Sequence, residues 1–70
     1  MKIFKTLEEA FMWAFDEREN FFMIKDHFSL CDEVENIRSI FAAVNKNKLE
    51  KYLLDNSYIE KIDSVYVYNQ

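Results

Sequence analysis

The seventy residues contain neither a glycine nor a proline, and this double absence restricts the backbone more than any other feature of the chain. Phosphate-cradling loops, dinucleotide fingerprints and nucleophile elbows all need conformations that only glycine adopts without strain. None of these devices can be built here. Any turn that requires a positive φ is expected at Asn or Asp, whose short polar side chains tolerate the left-handed region.

Between such turns the apolar spacing defines the elements. "KIF" at 2–4 reads as a short strand, and "TLEE" at 6–9 as a capping box in which Thr6 caps and Glu9 reaches back to the Thr6 amide. Leu7, Ala10, Phe11, Ala14 and Phe15 then follow on one helical face, flanked by Met12 and Trp13, with the helix ending near Glu19–Asn20. "FFMI" at 21–24 is a continuous apolar run and reads as a short buried strand. Leu30, Val34, Ile37, Phe41 and Val44 form a second helical stripe with Ile40 beside it, opened by Ser29 or by Asp32. A third helix is expected in "NKNKLEKYLLDN", with Asn47 as cap, Glu50 completing the box, and Leu49, Tyr52 and Leu53 inward. "DNS" at 55–57 reads as a turn. "YIEKI" and "VYVY" alternate as strands do, and Asp63–Ser64 between them is a poor two-residue loop, so a wider turn or bulge is expected.

The expected architecture is a small α+β single domain over 1–70, three helices with a short sheet in the order β-α-β-α-α-β-β. Without its first strand that order is similar to a winged helix. The resemblance implies a reading surface made by the third helix and the C-terminal hairpin, although "VNKN" stands where a glycine often separates the two helices.

Half of the residues are hydrophobic and 17% aromatic, enough for a core without staples and unlike the low-hydrophobicity, high-charge composition of disordered chains. A single cysteine excludes an internal disulfide and fits a reducing compartment. Glu8 and Glu9 interrupt the N-terminal segment before any secretory apolar run develops. The longest such run, "AFMWAF", falls far short of the roughly 20 residues of a membrane span. A soluble, cytoplasmic protein with no membrane partner is expected. The heavy use of Lys, Asn, Ile, Phe and Tyr hints at an AT-rich genome, as in low-GC bacteria or their phages.

The net charge of −4 is unevenly distributed. Residues 1–35 hold nine acids against four bases, a charge of −5, and residues 36–70 hold four acids against five bases, a charge of +1. The two halves are therefore suited to different partners.

Candidate chemistry centres on "KDHFSLCDEVE" at 25–35, which holds the only His and the only Cys. His27 and Cys31 make half of a zinc site at best, since structural zinc takes four ligands. As a nucleophile pair they face Asp32, Glu33 and Glu35, which oppose a thiolate. The stretch is better read as the acidic start of a helix. Glu8/Glu9 and Asp16/Glu17 diverge by about 100° on a helix and cannot work as acid–base pairs. No cofactor, metal or catalytic residue is expected, and the chain is not read as an enzyme.

Two binding readings remain. In the first, a small acidic protein-binding module, of a size and composition that suit a phage or mobile-element modulator or inhibitor of a host protein, docks through Met12, Trp13, Asp16 and Glu17 on the first helix and through Tyr66 and Tyr68. Those tyrosines point outward if Val65 and Val67 are core, and exposed Tyr, Trp and Met are favoured at interfaces. A homodimer uses the same chemistry. In the second, a winged-helix-like DNA-binding regulator places Lys46, Lys48 and Lys51 on phosphates. Overall acidity and the lack of arginine in that helix count against it.

Overall fold

The computed structural model describes residues 1–15 and 20–68. Along the chain come β1 (Lys2–Phe4), α1 (Leu7–Ala14), α2 (Phe21–His27), α3 (Ile37–Ala43), α4 (Lys46–Asp55), β2 (Glu60–Ile62) and β3 (Val65–Tyr68). The described residues therefore form an α+β structure with four helices and one three-stranded antiparallel sheet ordered β1-β3-β2. The N-terminal strand lies beside the C-terminal one, which makes β3 central, with Phe4 opposite Tyr66 and Ile62 opposite Val65.

Three expectations change. The run at 21–24 is the start of α2, a helix and not a strand, because Phe21 and Ile24 are buried three residues apart while Phe22 and Met23 face outward. The expected count of three helices therefore becomes four, and the strand on which the winged-helix order rested is absent. The stripe from Leu30 to Val44 also begins before any helix. Leu30 packs against the core and Val34 is buried from irregular chain. Neither Ser29 nor Asp32 opens the helix: α3 starts after Asn36, whose Oδ1 accepts from the Ser39 amide at 2.8 Å. The first helix ends at Ala14, with Phe15 as its C-cap. Its expected continuation over 16–19 lies outside the described residues.

The caps agree only in part with their expected places. Thr6 Oγ1 does accept from the Glu9 amide at 3.2 Å, but Glu9 reaches the amide of Lys5, not that of Thr6. Asn45, not Asn47, caps α4, accepting from the amides of Asn47 and Lys48. This leaves only Val44 and Asn45 between α3 and α4. The hairpin closes on Asp63 and Ser64 alone, without a bulge, because Asp63 adopts φ 56°. The other positive-φ residues among those described are Ser29 and Ser57, so serine takes a role expected of Asn and Asp.

The core gathers side chains from all four helices and from the sheet. Phe11, Ile24, Ile40, Leu49 and Leu53 are its largest fully enclosed side chains. Phe11 lies between the rings of Phe15 and Phe41, with centroids at 5.2 and 5.8 Å. Leu49 and Leu53, four apart on α4, bury one stripe of that helix. No described helix is long and apolar enough to cross a membrane.

Candidate functional site

Alternation along β3 is the reverse of the expected one. Tyr66 faces the helices and is buried, and its hydroxyl donates to Glu50 Oε2 at 2.6 Å. Glu50 also pairs with Lys61 Nζ at 3.5 Å. The hydrogen bond to this carboxylate, then burial, then its negative charge push the Tyr66 phenol up to about 12. Tyr66 therefore ties α4 to the hairpin and is not an outward contact residue. Val67, on the opposite face, is also buried, between its cross-strand partners Ile3 and Glu60.

Of the other expected contact residues, Trp13 and Tyr68 do come together. Their rings meet edge-on with centroids at 6.0 Å, Phe4 lies 6.1 Å from Trp13, and Lys2 Nζ stands 5.0 Å above the indole. Trp13 is 46% exposed, and Met12 and Tyr68 are half-buried against the core. Asp16 and Glu17 lie outside the described residues. This indole has intramolecular neighbours that account for it: it roofs the edge of the sheet.

Phe22 and Met23 have no comparable cover among the described residues. They are adjacent on α2 and 76% and 61% exposed. Phe22 touches the edge of the Phe21 ring at 5.1 Å and otherwise projects outward. Beside it lies an open depression lined by Phe22, Lys25, Asp26, Ser29, Leu30 and Asp32. Asp26 and Asp32 in this lining are exposed, as are Glu33 and Glu35 further along the chain. The result is an apolar side chain beside two carboxylates and the one ammonium group of Lys25. Ile3 and Ile62 are exposed as well, but they occupy the two outer strands with β3 between them and do not form a pair. Reading 21–24 as a buried strand concealed this surface. A signal was present nonetheless: Phe21, Ile24 and Phe28 follow i, i+3, i+7 spacing, which leaves Phe22 and Met23 off the buried stripe.

The three lysines assigned to phosphate contacts are not equivalent. Lys46 Nζ turns back to the carbonyls of Phe41 and Val44, closing the end of α3, and sits over the Phe41 ring at 4.6 Å. Lys48 and Lys51 stay exposed and line a second cleft together with His27. Cys31 is a free, exposed thiol, and no group of three or more His, Cys, Asp or Glu among the described residues is arranged to hold a metal. No protein-family model matches the chain, nor does any curated protein or solved structure match it.

Proposed function

We propose that this chain is a small, acidic, non-enzymatic protein-binding module whose contact surface centres on Phe22 and Met23 and whose partner presents a basic rim around an apolar recess. The adjacent exposure of these two side chains carries the reading. Large exposed apolar side chains in a compact domain mark interaction sites when they cluster, and Phe and Met are favoured at interfaces. The acids around them supply steering toward positive charge and discriminate against acidic partners.

Magnitudes define what the surface needs. Full burial contributes about 1.5–3 kcal/mol for each such side chain. Association costs at least about 4 kcal/mol in lost rigid-body freedom. Two anchors supply about 3–6 kcal/mol and so leave at most about 2 kcal/mol net on their own; a stable complex must also cover Leu30 and the neighbouring carboxylates.

The test is a quantitative pull-down with immobilised wild-type protein, followed by titration of each purified captured protein against the Phe22→Ala/Met23→Ala variant. The double variant is expected to lose at least about tenfold in affinity with its unfolding midpoint essentially unchanged, since neither side chain is core. Binding should weaken as salt is raised. Unchanged binding by this variant, together with loss in Trp13→Ala/Tyr68→Ala, would move the interface to the indole surface and overturn the proposal. Self-association of the wild type that the double variant abolishes would assign the surface to a second copy and likewise overturn it.

A further inference from the structure

The cleft beside α4 shares only Ser29 with the depression at Phe22 and is built differently. Its volume is about 450 Å³, within the range of small-molecule sites, roughly 300–1,000 Å³. One wall is a stripe of α4: Lys48, then Lys51 and Tyr52, then Asp55 and Asn56. At 1.5 Å rise per residue the distance from Lys48 to Asp55 along the axis is about 10 Å. The facing wall is the end of α2, where His27 and Phe28 pack against Tyr52 with ring centroids at 4.3 and 5.5 Å. The cleft is thus cationic at one end, aromatic in the middle, and lined by a carboxylate and an amide at the other.

The side chains of Lys48 and Lys51 make no hydrogen bond or ion pair among the described residues, so their ammonium groups are available to an anion. Lys48 lies in the first turn of this ten-residue helix, where the backbone dipole adds to its field, and Lys51 follows three residues on, on the same side of the helix. At the far end Asn56 already donates its amide N–H to the Tyr52 carbonyl at 2.8 Å, which leaves its side-chain oxygen as an acceptor. Asp55 adds two more acceptor oxygens.

We infer that this cleft binds a nucleoside phosphate, with the phosphate at Lys48 and Lys51, the ring system against the His27–Tyr52–Phe28 aromatic group, and ribose hydroxyls or an exocyclic amine donating to Asp55 and Asn56. A bare phosphate is too short to use both ends of a 10 Å stripe. A phosphorylated phenol ring has no donor for Asp55. The site needs no glycine-rich loop, because the charges come from side chains and not from backbone amides.

The experiment is titration of ¹⁵N-labelled full chain with AMP, adenosine, inorganic phosphate and a short single-stranded oligonucleotide, following amide shifts. AMP is expected to shift residues 27–29 and 48–56 and to bind at least about tenfold more tightly than either phosphate or adenosine alone. Lys48→Ala/Lys51→Ala should weaken AMP about tenfold or more, as loss of charge-assisted contacts implies, with no change in adenosine binding. Asp55→Asn should weaken AMP and leave phosphate unaffected. All three positions are exposed, so the variants are expected to fold, and their spectra report it directly. Equal affinity for AMP and phosphate would reduce the cleft to a general anion site and overturn the inference. Shifts elsewhere, or oligonucleotide binding two orders of magnitude tighter than AMP, would also overturn it, the latter in favour of a nucleic-acid strand.

Discussion

α2 and α4 are neighbours across one cleft, yet they are held in opposite ways. α4 spans ten residues, is capped by two amide bonds to Asn45, encloses Leu49 and Leu53 completely, and is tied to the hairpin through Glu50 and Tyr66. α2 spans seven residues, has no side-chain cap from Asn20, and turns Phe22 and Met23 to the outside. Both bury two large side chains, so apolar content does not separate them. What does is how many independent devices agree. In α4, capping, periodicity and a polar tie specify one arrangement, whereas α2 relies on apolar and ring packing alone, through Phe21, Ile24 and the contacts of His27 and Phe28 with Tyr52. The helix with the fewest internal obligations is the one whose apolar residues are left for something else.

The comparison can be broken most forcefully at Leu53. Leu53→Ala should cost about 2–5 kcal/mol, a large share of the stability of so small a domain. Urea unfolding measures it, and a loss under about 1 kcal/mol would remove α4 from its central role. A smaller effect is expected from Tyr66→Phe, about 1–2 kcal/mol for a hydrogen bond to a partly exposed carboxylate. This bond also sets a pH signature. The phenol holds its proton more tightly in the folded state, so its contribution is complete below pH 10 and is lost as pH rises from 10 to about 12. Tyr66→Phe should flatten the alkaline decline of the unfolding midpoint. A residual slope is expected from Tyr52, which is also pushed up, by burial and by its neighbour Tyr58. The smallest effect sharpens the contrast most directly: Asn45→Ala should cost about 1 kcal/mol, while Asn20→Ala stays within about 0.5 kcal/mol. Equal losses in the two variants would show that α2 is capped in solution as well as α4 is.

The same difference explains what was legible in the residues. The α+β class, the inward faces of α1 and α4 and the paired C-terminal strands could be read because periodicity there is reinforced by caps or alternation. The run at 21–24 carries no such reinforcement, since four consecutive apolar residues fit a buried strand or a turn of helix equally well. The onset of α3 was obscured because Leu30 and Val34 keep helical spacing while packing from irregular chain, with Val34 held by a backbone bond to Cys31. The facing of β3 was misread because a small sheet covered on one side can prefer tyrosine to valine inward when a carboxylate such as Glu50 waits for the hydroxyl. Of the contact residues chosen from sequence, Trp13 and Tyr68 are partners, Tyr66 is structural, and Phe22 and Met23 went unnoticed because their run was assigned to the core. Of the three lysines that the spacing groups together, Lys46 folds back on α3, and the pairing of Lys48 and Lys51 with His27 depends on the packing of α2 on α4, which no local pattern encodes.

A chain without glycine must nonetheless turn left-handed somewhere, and it does so at Ser29, Ser57 and Asp63. Each serine there carries a Cβ into a region that disfavours it by about 1–2 kcal/mol. A glycine would relieve that strain and return only roughly 0.4–1 kcal/mol through the greater freedom of the unfolded chain. The backbone is therefore better than the sequence written on it. Two single-codon positions hold unused headroom, and a lineage drifting through this fold could gain robustness at either without altering the packed interior.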